Sequence, residues 1–123
     1  MSTAEHDDTP IAFDNSAWEL STEQVRGLIA AQNDLLLLDC RTRDEFEADH
    51  LPNAMLLPLQ EMTTRGVELN PHRDRPTVIY CRTGRRSAIV AKFLELAGHR
   101  YVRSMAGGIE AWRAEESADA DGV

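Results

Sequence analysis

The segment Thr77-Val78-Ile79-Tyr80-Cys81-Arg82-Thr83-Gly84-Arg85-Arg86-Ser87-Ala88-Ile89-Val90-Ala91 joins the clearest strand of the chain to its most apolar helix. Thr77 to Tyr80 is β-branched and aromatic and follows Pro76, which is the pattern of a strand. From Ser87 to Ala97 the chain is apolar except for Lys92 and Glu95. These two lie three apart on one outward face, so the helix is expected to be buried over most of its circumference. Gly98 suits its left-handed C-terminal position. A strand that passes through a short loop into such a helix is the repeating unit of an α/β sheet.

The flanking sequence repeats that alternation. Leu35 to Asp39 is an apolar run ending in a charge, as in a strand buried on both faces. Before it, Ser21 and Gln24 have capping-box spacing and open a helix with Val25, Leu28 and Ile29 on one face. After it, Arg41 to Asp49 predicts a short surface helix stopped before Pro52, and Ala54 to Leu57 a strand closed by Pro58. Gly66 and Pro71 divide Leu59 to Arg75 into a short helix and a loop. Tyr101-Val102 predicts a short strand, and Gly107-Gly108 precedes a last helix carrying Ile109, Ala111 and Trp112. The expected class is α/β with a mainly parallel sheet.

A chain of 123 residues has room for one domain, expected over 13–114. The acidic ends, 1–12 and 115–123, are poor in large apolar groups and are expected to be disordered tails. The net charge of −8 sits mostly in those ends, because residues 11–114 hold 14 acids against all 13 bases. With no basic excess or stripe, neither nucleic acid nor an acidic membrane surface is an expected partner. The longest aliphatic run, Leu35 to Leu38, is far too short to span a bilayer. The acidic start lacks the apolar segment of a signal peptide, so the expected location is cytoplasmic, where Cys40 and Cys81 would be free thiols.

Cys81 falls at the carboxyl end of a strand, where open α/β sheets collect reactive groups. The loop after it wraps into a helix N-terminus, whose backbone N–H groups and dipole favour an anion. The same field favours thiolate over thiol. Gly84 permits a tight turn, and Arg82, Arg85 and Arg86 supply planar donors for an oxyanion. The pattern predicts a nucleophilic cysteine in an anion-binding cradle.

The chain resembles a single-domain rhodanese, a sulfurtransferase, from about Trp18 to Trp112. The resemblance rests on Asp39-Cys40-Arg41, Glu45-Phe46, His50-Leu51-Pro52-Asn53-Ala54, Tyr80-Cys81 with the loop to Ser87, Ala97-Gly98, and Gly107-Gly108-Ile109-Glu110-Ala111-Trp112. It implies a three-layer domain with a central, mainly parallel sheet of about five strands flanked by helices. It also implies that Cys81 is the nucleophile that carries sulfur as a persulfide, taken from a small anionic donor such as thiosulfate. The acceptor would be cyanide, a thiol or a protein. Residues Arg82, Thr83, Gly84, Arg85, Arg86 and Ser87 would form the active-site loop, with Arg82 on the sulfonate. Asp39 and Arg41 would form a structural ion pair, and His50 a fixed hydrogen bond in its turn. No cofactor and no metal site is implied.

Two other readings share this fold. Cdc25-type phosphatases and related arsenate reductases carry a loop one residue longer, with Arg six positions after the cysteine, where this chain has Ser87. A module that carries persulfide to, or simply binds, a protein partner is the other. The chain departs from the family pattern at Asp49 and Asn53, where glycine is usual, although both residues tolerate left-handed backbone. Cys40 stands where Val is usual. Packing is its expected role, and resolution of a Cys81 persulfide the alternative. Trp112 is expected to pack the last helix on the sheet, and Gly107-Gly108 to start that helix rather than bind phosphate.

Overall fold

The computed structural model describes residues 18–31 and 34–121. The expected tail over 1–12 and the expected domain start at Phe13 lie outside the described residues. Elements alternate along the chain: β1 (Glu19–Leu20), α1 (Thr22–Ala31), β2 (Leu36–Asp39), α2 (Arg43–Ala48), β3 (Met55–Leu56), α3 (Met62–Arg65), β4 (Thr77–Tyr80), α4 (Arg85–Leu96), β5 (Val102–Met105) and α5 (Gly108–Asp121). Short 3-10 turns, Leu59–Glu61 and Gly66–His72, flank α3 in the stretch read as helix and loop.

All pairings among the described strands are parallel, in the order β1-β5-β4-β2-β3. Period-two alternation divides each apolar run between the two faces. Leu37, Val78 and Tyr80 join the core under α1 and α5 with Val25, Ile109 and Trp112. Leu36, Leu38 and Ile79 join the opposite core with Met62, Val90 and Leu94. The result is the expected α/β domain of three layers, with β4 in the middle of the sheet.

The capping box forms, with Gln24 N–H donating to Ser21 Oγ at 3.0 Å and Ser21 N–H to Gln24 Oε1 at 2.8 Å. β5 covers Val102–Met105, later than the expected Tyr101-Val102. Its polar Arg103 and Ser104 hid it from an apolar pattern, yet all four residues are buried. β1 is two residues long and carried no pattern at all.

Three expectations need correction. The segment from 115, expected to be a disordered acidic tail, continues α5 to Asp121. Glu115 and Glu116 have partners. Thr22 Oγ1 donates to the Glu115 carboxylate, Arg26 lies 3.7 Å from it, and Arg113 and Trp112 Nε1 reach Glu116 at 2.8 and 3.1 Å. Helix α4 is also less enclosed than its composition suggests, because Ile89 is 61% exposed and Leu96 79%. Only the stripe through Ser87, Val90, Ala91 and Leu94 faces the sheet. On α1, Val25 and Leu28 are buried but Ile29 is exposed.

Candidate active site

The site forms where the carboxyl ends of β2 and β4 lie side by side. Asp39 pairs with Tyr80 in the last register step, and Cys40 N–H donates to the Tyr80 carbonyl at 3.1 Å. From here the chain leaves in opposite directions, β2 toward β3 and β4 toward β5. In an open parallel sheet that divergence creates the crevice in which ligands bind. Cys40 and Cys81 flank it.

Cys81 is buried, with 1% of its surface exposed. Its Sγ receives the Gly84 N–H at 3.0 Å and the Ser87 N–H at 3.4 Å, while Ser87 Oγ lies 3.5 Å away. Ser104 Oγ on β5 is 2.7 Å from Ser87 Oγ, and with Ser104 as donor in that pair the Ser87 hydroxyl can donate to an unprotonated sulfur. The loop thus wraps its donors around one atom, and the N-terminus of the twelve-residue α4 adds its dipole. These contacts carry the Cys81 thiol down to about 4. The largest contribution is a hydrogen bond with the Cys40 side chain; the Ser87 hydroxyl and the Ser87 and Gly84 N–H groups act with it, and burial acts against it. Cys81 is therefore a thiolate at neutral pH, the form that attacks sulfur.

Two glycines make this wrapping possible. Gly84 has φ +102°, and a Cβ there would stand 3.2 Å from the Gly107 nitrogen. Gly108, at φ +63°, lies so close to the Cys81 and Arg82 carbonyls that a Cβ would collide with both. Those carbonyls accept from the Ile109 and Glu110 N–H groups at 2.9 and 3.1 Å, so the free N–H groups of α5 bind the loop backbone. Gly107-Gly108 starts a helix, as expected, and also braces the site.

The three arginines form a rim. Arg82 and Arg85 are exposed, and Arg86 is half-buried. Arg82 lies 3.6 Å from Glu110 of α5, and Arg86 3.6 Å from Glu45 of α2. Thr83 is exposed at the tip of the loop. The polar atoms gathered on the sulfur come from Gly84 and Ser87, while the guanidiniums stand outside.

Asp39 and Arg41 form a forked ion pair beneath the site, with Arg41 Nη2 2.8 Å and Nε 3.0 and 3.1 Å from the Asp39 carboxylate oxygens. His50 is exposed. Its Nδ1 is 2.9 Å from the Phe46 carbonyl, and the two rings stack at 3.9 Å, so the ring fastens its turn. Asn53 takes left-handed backbone at φ 64°, as its side chain allows. Asp49 does not: its φ of −169° is extended, and its carboxylate binds Arg113 at 2.6 Å. Sequence reasoning did not select Ser104, for which an isolated serine in a polar-looking strand gave no signal. Cys40 was seen, but its neighbour could not be read from spacing.

The rhodanese-like domain family model matches residues 21–115. A sulfurtransferase of Allochromatium vinosum is 36% identical over 94 residues, covering 76% of this chain and 86% of that protein. The thiosulfate sulfurtransferase GlpE of Coxiella burnetii is 30% identical over 98 residues, covering 80% of this chain and 81% of that protein. A rhodanese-related protein of Thermoplasma volcanium has the same fold, with a TM-score of 0.71 at 24% identity over 80% of this chain and 93% of its own. With the family model over nearly all the described residues, and a thiolate held by loop N–H groups at the end of the central strand, the chain belongs to the rhodanese-like family, among its single-domain sulfurtransferases.

Proposed function

We propose that Cys81 is the sulfur-carrying nucleophile and that the protein moves sulfane sulfur from a small anionic donor such as thiosulfate to a thiol acceptor. The observation that carries this reading is the Cys81 sulfur at the centre of its loop, receiving Gly84 N–H at 3.0 Å and Ser87 N–H at 3.4 Å. The Cys81 thiolate attacks the outer sulfur of the donor. An S–S bond forms, the donor S–S bond breaks, and sulfite leaves with the electron pair. The persulfide on Cys81 is then attacked at its outer sulfur by cyanide, a small thiol or a cysteine of a protein, and the Cys81 thiolate returns. Splitting the transfer into two displacements gives ping-pong kinetics.

The loop suits both forms, since N–H donors that hold a thiolate also hold the anionic outer sulfur of a persulfide. Arg82 and Arg85 on the open rim supply charge for the sulfonate of the donor, and Arg86 stands beside them. Asp39, Arg41 and His50 serve the frame. A mechanism that needs free thiols suits a reducing compartment such as the cytoplasm. Among the described residues no helix is long and apolar enough to cross a membrane.

The test is thiocyanate formation from thiosulfate and cyanide by the protein and by Cys81→Ser, with intact mass after thiosulfate alone. A rate that needs Cys81, with a mass gain of about 32 Da for one sulfur, is the expected result. Hydrolysis of a phosphate ester with no sulfur adduct would replace this reading with a phosphatase.

A further inference from the structure

We infer that Cys40 is a positioning residue for Cys81: its S–H donates to the Cys81 sulfur and keeps that sulfur ionised, so the two cysteines hold one proton between them and Cys40 carries it. The inference concerns the same site as the sulfur-transfer reading but stands on geometry that needs no turnover.

Cys40 follows β2 directly as Cys81 follows β4, and these strands are neighbours in register. The Cys40 N–H to Tyr80 carbonyl bond, 3.1 Å, continues the ladder by one step and locks the two residues abreast. Adjacent strands lie about 4.8 Å apart, which puts two side chains of the same face in contact. Both cysteines belong to the same core cluster and both are buried, so the register sets the two thiols side by side. A sulfur pair with no solvent between its members and a single proton is a monoanion, and the proton goes to the sulfur with fewer other donors.

The surroundings make that choice. Cys81 already accepts from Gly84 N–H, Ser87 N–H and the Ser87 hydroxyl. The buried Asp39 carboxylate, next to Cys40 in the chain, opposes a second negative charge there, and Arg86, paired with Glu45, favours one only weakly. Other charges on packed elements are the Arg82 and Glu110 pair on the loop and α5, and Arg41, whose guanidinium is engaged by Asp39. The neighbouring sulfur, and burial after it, push the Cys40 thiol far above its ordinary range, the reverse of Cys81. Cys40 is then a poor attacking group and a good donor, so the pair is arranged to activate Cys81 rather than to resolve its persulfide.

The experiment follows the rate of Cys81 alkylation by iodoacetamide from pH 3.5 to 9 (a window set about the ordinary thiol range), under reductant and with peptide mapping, in the native protein, Cys40→Val and Cys40→Ser. Valine is the apolar replacement, one heavy atom larger and without the donor, whereas serine keeps one. The expected result is a midpoint raised by about one pH unit or more in Cys40→Val, and by less than half of that in Cys40→Ser. Equal midpoints in the native protein and Cys40→Val overturn the inference. So does an equal rise in both variants, because loss of packing alone would then explain it. If Cys40→Val fails to fold, Cys40→Ala serves in its place under the same criteria. Alkylation needs no sulfur donor, so a protein inert toward thiosulfate can still uphold or overturn the role of Cys40.

Discussion

The N–H of Ile109 donates to the carbonyl of Cys81 at 2.9 Å, which fastens the first turn of α5 to the backbone of the residue at the centre of the loop. A helix start usually leaves its first N–H groups to solvent or to a side-chain cap. Here two of them, from Ile109 and Glu110, bind the carbonyls of Cys81 and Arg82 and tie the start of the loop to α5.

Gly108→Ala tests that junction. The new Cβ would meet the Cys81 and Arg82 carbonyls at a residue with φ +63°, so either α5 or the loop must move. The expected cost is about 2 kcal/mol or more of stability. Urea unfolding should read this loss, together with a sulfur-transfer rate reduced beyond what the unfolded fraction accounts for.

The pH profile of sulfur loading follows from the thiolate. With the Cys81 thiol near 4, the reactive form is complete at neutral pH and is lost as pH falls through about 4. Loading by thiosulfate is expected to be flat from about pH 6 to 8 and to fall below about 5. Ser87→Ala removes the hydroxyl donor and leaves the N–H, so it should move the acid limb upward and slow loading at pH 5 by up to about twofold. An acid limb in the same place in both proteins would remove Ser87 Oγ from the account.

Arg82 separates binding from chemistry. Its guanidinium is exposed and lies 3.6 Å from Glu110, an arrangement worth little to stability. Arg82→Ala is expected to raise the thiosulfate KM by about three- to tenfold, with kcat changed far less and thermal stability unaltered. A fall in kcat at constant KM would assign it to the reaction step instead.

The pair beneath the site behaves differently. Asp39 is fully buried and its carboxylate faces Arg41 at 2.8 Å, so Arg41→Met leaves a buried charge without a partner. The expected loss is about 3–5 kcal/mol, measured by denaturant unfolding.

Helix α4 offers an internal control on packing. Leu94 is buried and Leu96, two residues on, is 79% exposed. Leu94→Ala should cost about 2–5 kcal/mol, and Leu96→Ala should stay within about 0.5 kcal/mol.

That contrast marks the boundary between pattern and packing. The strand from Thr77 to Tyr80, the helix after it and the cationic loop between them were legible because β-branched residues, an apolar run and glycine act locally. Order and spacing of short motifs from Asp39 to Trp112 were enough to indicate the family. Which face of an almost wholly apolar helix meets the sheet was not legible, since Ile89 and Leu96 are as apolar as Val90 and Leu94. Strand β5 escaped for the opposite reason: Arg103 and Ser104 read as polar but are buried in a strand paired with β1 on one side and β4 on the other. The contacts that hold α5 at Glu115 and Glu116 come from Thr22, Arg26 and Arg113, two of them far away in the chain.

By itself the sequence determined that a cysteine stands at a strand end before a glycine-containing, arginine-rich loop and a helix, because that arrangement uses only consecutive residues. The tertiary structure alone decided what reaches the loop from elsewhere in the chain. Ser104 reaches Ser87 from β5, α5 binds the Cys81 carbonyl, and Cys40 arrives from β2, forty-one positions earlier in the chain. Hydrogen bonds to a buried sulfur are set by register between strands and by the docking of helix ends. Neither is encoded in the local spacing of the residues that make them.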